Sequence, residues 1–137
     1  MDCTSLSNII IPARTHTIEA NAFSGCSLLS NVVIPDTVMH IKTGVFRDCI
    51  SLSSITIPKN SQISEIGSYA FSSCTSLSNI TIPSRVTSIE RDAFEDCDAL
   101  LDVIIPNGVK YIMEFAFCDC SSLSTVTFPD GLVSIGD

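Results

Sequence analysis

From Cys3 onward one pattern recurs every 23 residues: Cys-x2-Leu-x2-(Ile/Val)-x-(Ile/Phe)-Pro-x2-(Val/Thr/Leu)-x2-Ile-x3-(Ala/Val)-Phe-x2. Its copies begin at Cys3, Cys26, Cys49, Cys74, Cys97 and Cys120, and the third carries two extra residues between Pro58 and Ile66. A period of this length marks units that cannot bury an apolar face alone, so each must stack on the next. The expected architecture is therefore a single solenoid over residues 1–137, of about six turns.

The columns of the repeat show which side chains face inward. Leu6, Leu29, Leu52, Leu77, Leu100 and Leu123 stand three residues after the cysteines, and Ile9, Val32, Ile55, Ile80, Val103 and Val126 six after them. Ile11, Ile34, Ile57, Ile82, Ile105 and Phe128 follow, and each precedes one of the six prolines of the chain. Proline donates no ladder hydrogen bond, so this column ends a short strand and turns the chain away from it. Further interior columns run from Ile18 to Ile135 and from Ala22 to Ala116. Five of the seven phenylalanines form one column, Phe23, Phe46, Phe71, Phe94 and Phe117, which predicts a stacked aromatic spine opposite the strands.

The segment Leu-x2-Ile-x-Ile resembles the strand motif of leucine-rich repeats. The remainder, as in the stretch from Leu77 to Cys97, resembles the BspA-like (Treponema pallidum-type) leucine-rich repeat. That resemblance implies a mainly β solenoid, with short parallel strands on a concave face and irregular or short extended segments on the convex face. It also implies an extracellular or cell-surface setting, since family members are best known as surface or secreted adhesion proteins.

Six of the seven cysteines share one column, which predicts a ladder of small buried thiols rather than neighbouring disulfides or a metal site. Cys118 instead falls in the polar column of Ser24, Arg47, Ser72 and Glu95, and is expected to be an exposed thiol. His16 and His40 lie in variable positions with no nucleophile beside them, and no GxSxG, P-loop or GxGxxG pattern occurs. The expectation is no enzymatic activity, no cofactor and no metal. Glu90, Arg91, Asp92, Glu95, Asp96 and Asp98 cluster, and Asp96 stacks by period with Asp48 and Asp119, but the spacing lacks a calcium-loop pattern and reads as a solvated acidic edge.

Charge and hydropathy narrow the partners. The 137 residues carry a net charge of −8, which disfavours nucleic acid and anionic membranes. Apolar runs are broken every few residues by Ser, Thr or Pro, far short of the ~20 needed to span a bilayer, so a soluble body with no membrane insertion is expected. No start of the signal-peptide kind follows Met1, which leaves a cytosolic chain or a mature or excised piece.

Two surfaces stand out as contact candidates. The expected concave face presents Asn8, Asn31, Thr56, Asn79, Thr81, Asp102 and Thr127, a small, polar and β-branched array without the aromatic or arginine anchors that dominate most interfaces. The ends are the second. The chain opens in repeat register and stops in mid-repeat at Asp137, so no capping turn is recognisable, and Met1 and Asp2 would nearly complete the turn that Gly136 and Asp137 leave unfinished. Open ends would expose Leu6, Ile9, Ile11, Ile18 and Phe23 at one face and Leu123, Val126, Phe128, Leu132 and Ile135 at the other. Two expectations follow: head-to-tail association with itself into a filament, or a surface adhesin fragment or recognition module that binds another protein. The two extra residues, around Ser61 and Gln62, are expected to bulge from one edge.

Overall fold

The computed structural model describes residues 3–137 and forms a parallel β-solenoid in which each 23-residue copy is one turn. The Leu-x2-Ile-x-Ile segments give β2 (Asn31–Val33) paired with β4 (Ser54–Thr56), and β7 (Asp102–Ile104) paired with β9 (Thr125–Thr127). In β2, β4 and β7 the middle residue points inward while its neighbours face solvent, the two-residue alternation a half-buried strand requires. Asn8 joins Asn31 by a single bridge, and the equivalent stretch around Asn79–Thr81 pairs as neither strand nor bridge.

The most continuous sheet lies after the prolines, where the resemblance implied irregular or short extended segments. Here β1 (Thr17–Ile18), β3 (His40–Ile41), β5 (Glu65–Ile66), β6 (Ser88–Ile89), β8 (Tyr111–Ile112) and β10 (Ser134–Ile135) form a six-stranded parallel sheet. Its register is Ile18, Ile41, Ile66, Ile89, Ile112, Ile135. Each strand is only two residues long, because a turn closed by the Val38 N–H on the Pro35 carbonyl (3.1 Å), and its equivalents, precedes it and the Ala-Phe segment follows.

Between the strand and the next cysteine the backbone twice enters the left-handed region. One set is Asn21, Gly44, Tyr69, Asp92 and Phe115, at φ 54–62°, and the other is Gly25, Asp48, Ser73, Asp96 and Asp119. These kinks aim the intervening N–H groups at the next turn. Phe23, Phe46, Phe71 and Phe94 donate to the carbonyls of Val45, Ala70, Ala93 and Ala116 at 2.8–2.9 Å. The phenylalanine spine follows as expected: successive rings from Phe23 to Phe117 stack with centroids 5.2–5.6 Å apart.

The longer third turn departs from expectation. Gln62 faces solvent, but Ser61 is fully buried, its hydroxyl accepting the Ile63 N–H at 3.2 Å. Counted back from the strand isoleucine, Ile63 stands three before Ile66, as Val38 stands before Ile41 and Val86 before Ile89. All three are sealed in the core. The turn therefore keeps its apolar register and folds half of its extra length inward.

Candidate interaction surfaces

The cysteine column ties one turn to the preceding one. The thiols of Cys49, Cys74, Cys97 and Cys120 donate to the carbonyls of Phe23, Phe46, Phe71 and Phe94 at 3.1–3.2 Å. Among the described residues no cysteine is in a disulfide. Burial, the largest cause, pushes the Cys26 and Cys120 thiols up to about 11 and Cys49 to about 12. Cys74 and Cys97 move the same way for the same reason. A buried thiol that stays protonated is a poor nucleophile, and four of these thiols spend their S–H on backbone carbonyls. Cys118 is half-buried rather than fully exposed. Its thiol lies 3.4 Å from the Asp119 carboxylate, and that contact raises its pKa.

A pH dependence follows from these shifts. An unfolded thiol loses its proton from its ordinary 9.0 upward, whereas the folded chain holds the protons of Cys26, Cys49 and Cys120 until pH 11–12. The native state thus binds more protons between those limits, and stability that is full below pH 9 declines as pH rises through the window. Urea midpoints should be level from pH 7 to 9 and fall at pH 10 and 11. Cys49→Ser removes one of these groups and should make the fall smaller; a fall of undiminished size in that variant would place its origin elsewhere.

The strand face presents Asn8, Asn31, Thr56, Asn79, Thr81, Asp102 and Thr127 to solvent. Ile10, Val33 and Ile104 stand beside them at 91%, 65% and 73% exposure, so a β-branched row with Thr56, Thr81 and Thr127 crosses the turns. His16 and His40 are also exposed.

The end faces are apolar. At the first, Leu6, Ile9, Ile11 and Phe23 are half-buried and border a concavity of about 610 Å³, while Ile18 is buried beneath its neighbours. At the last, Leu123, Val126 and Leu132 are half-buried and Phe128 and Ile135 are exposed. There Phe117, Val126, Phe128 and Ile135 line a concavity of about 310 Å³. The same columns are sealed in the inner turns, as at Phe71, Leu77 and Ile66. Met1 and Asp2, expected to complete the neighbouring turn, lie outside the described residues.

A third surface was not singled out by the sequence. On the outer edge the Arg47 guanidinium lies 5.3 Å from the Tyr69 ring centroid and that of Arg91 lies 5.0 Å from Phe115. Both aromatic residues occupy the left-handed column that elsewhere holds Asn21, Gly44 and Asp92. Elsewhere, among the described residues, no three His, Cys, Asp or Glu side chains converge as a metal-holding group, and no helix is long and apolar enough to cross a membrane.

The BspA type leucine rich repeat region matches the chain in 6 copies, over residues 1–103 and 87–137. A leucine rich cell surface protein of Faecalibacterium prausnitzii A2-165 superposes with a TM-score of 0.81 at 38% identity, covering 85% of this chain and 30% of that one. A leucine-rich repeat protein of Bacteroides ovatus ATCC 8483 gives 0.77 at 36%, with the same coverages. The T. pallidum leucine-rich repeat protein gives 0.77 at 36%, covering 82% of this chain and 52% of that one. The chain thus spans less than a third of the first two proteins. No curated protein sequence matches it.

Proposed function

The chain belongs to the BspA-type leucine-rich repeat family, and from that footing we propose that it is a non-enzymatic scaffold whose end faces seat a further turn of the same kind of repeat. In a polypeptide of these 137 residues that turn comes from a second copy, and the chains join head to tail. The observation that carries this reading is the exposure of the repeat's own core columns at the ends, where Phe128 and Ile135 are 46% and 56% exposed while the inner equivalents Ile82 and Ile66 are at 5% and 0%. A surface already shaped to its own repeat is complementary to another copy, and such a contact does not close on itself. Unpaired parallel strand edges at β1 and β10 add hydrogen-bonding capacity in the same direction.

Negative-stain electron microscopy of the reduced protein, with light scattering across concentration, tests this. Filaments with an axial repeat of about 29 Å, six strand spacings, are expected. Monodisperse particles one chain long at high concentration overturn it.

A second reading is a cell-surface recognition module that binds another protein. It is supported by the structural likeness to a protein described as a leucine rich cell surface protein, and by the far greater length of that protein.

A further inference from the structure

We propose that the outer edge on which Arg47, Tyr69, Arg91 and Phe115 alternate is a docking surface for a cationic protein segment that carries apolar side chains. This deepens the recognition reading above and rests on it.

The starting point is a backbone conflict. The position before each (Ala/Val)-Phe pair lies in the left-handed region in five successive turns, at Asn21, Gly44, Tyr69, Asp92 and Phe115. Asn, Gly and Asp accept that conformation readily, whereas a bulky aromatic there is an outlier that costs backbone free energy. Nothing in the spine needs an aromatic at this column, since three of its five members lack one. The rings pack on arginines of neighbouring turns rather than in the core, so the strain is kept for the outer edge that they form together.

The arginines fix the rings at the outer edge, with Tyr69 half-buried and Phe115 exposed. Arg47 covers Tyr69 at 5.3 Å and Arg91 covers Phe115 at 5.0 Å, while the Tyr69 N–H donates to the Arg91 carbonyl at 3.0 Å. One ladder therefore crosses four turns. Each guanidinium has a carboxylate of its own turn, Arg47 with Asp48 at 3.6 Å and Arg91 with Asp92 at 2.9 Å. The arginines thus supply flat, stacking surface without leaving net positive charge. Tyr111 on β8 and Met113 just after it are exposed, and Phe115 itself is 41% exposed. Tyr, Phe, Met and Arg are the side chains that enrich interface cores, and the strand face lacks them. Glu90 and Glu114 stand next to Arg91 and Phe115 in the chain, and Glu95, Asp96 and Asp119 follow in the same two turns. An aromatic strip rimmed by carboxylates is complementary to a segment with Lys or Arg at its margins and apolar side chains at its centre.

Fluorescence anisotropy with a labelled peptide alternating Lys and Leu, and with its Glu-Leu counterpart, tests the assignment. The Lys-Leu peptide is expected to bind and the Glu-Leu peptide not to. Tyr69→Asn/Phe115→Asn should lower affinity by about tenfold or more, with thermal stability unchanged or raised, because Asn relieves the backbone. A purely structural role for the rings predicts the reverse, lower stability with unchanged binding, and that result overturns the proposal. Glu90→Lys/Glu114→Lys supplies an independent readout that leaves the rings in place, with Lys-Leu binding lost. Equal binding by this variant, or equal binding of the two peptides, also overturns it. Light scattering on Tyr69→Asn should show end-to-end association unchanged, which keeps failure of this surface distinct from failure of stacking.

Discussion

Replacing Phe71 by Ala is expected to remove about 3–5 kcal/mol of stability, the range for deleting a fully buried ring. Phe71 has no exposed surface and stacks on Phe46 at 5.6 Å and Phe94 at 5.3 Å, with interplanar angles of 12° and 8°. Its N–H and carbonyl are engaged as well, by Ala93 at 2.8 Å and by the Cys97 thiol at 3.2 Å, so the backbone has little freedom to collapse into the space left behind. In a solenoid each turn is stabilised by its two neighbours, and the loss at Phe71 falls on two junctions at once. Phe23→Ala removes a half-buried ring with one stacking partner among the described spine rings and should cost distinctly less. Urea unfolding of the two variants measures the difference. Equal losses would mean that the spine does not transmit stability from turn to turn.

Ile135→Asp is expected to abolish end-to-end association, at concentrations where the unmodified chain assembles, with little change in the unfolding of the single chain. Ile135 pairs with Ile112 through β10 but is 56% exposed, so a carboxylate there remains hydrated in the isolated solenoid. Within a stacked junction the same carboxylate would be desolvated without a partner, at a cost of several kcal/mol. Ile104→Asp is the control, being 73% exposed on the strand face, one turn in from the last. Light scattering should show assembly lost in the first variant and kept in the second. Loss in both would assign association to the sides of the solenoid.

What could be read from the sequence was whatever the period copies as a residue type. In the inner turns the leucine, isoleucine, phenylalanine and cysteine columns lie where their spacing puts them, because there a recurring apolar residue has no alternative to the interior, whereas Cys3, Phe128 and Ile135 in the first and last turns are exposed. The six-stranded sheet was less legible. Its strands hold one outward and one inward residue each, as in His40–Ile41, too short for alternation to register. The place of Ile63 was in fact readable by counting back from Ile66 rather than forward from Pro58, a choice of direction that matters only in the turn with added length. The Arg47–Tyr69 and Arg91–Phe115 pairs were hidden for a different reason. They lie 22 and 24 residues apart, on either side of the period, and meet only once the left-handed backbone at Tyr69 and Phe115 has turned both rings toward the previous turn. Tyr and Phe give no hint of that backbone, since they are among the residues that avoid it.

The thiol bonds of Cys49, Cys74, Cys97 and Cys120 run one way, each S–H donating to a phenylalanine carbonyl earlier in the chain, as Cys74 does to Phe46. The stack is therefore a vector. A neighbouring unit arriving in the opposite sense would set carbonyl against carbonyl at one side and thiol against thiol at the other. A tandem duplication of the 23-residue unit, in register, keeps every donor matched to an acceptor. Such a fold can lengthen by copying its own text, turn after turn, without redesigning any junction.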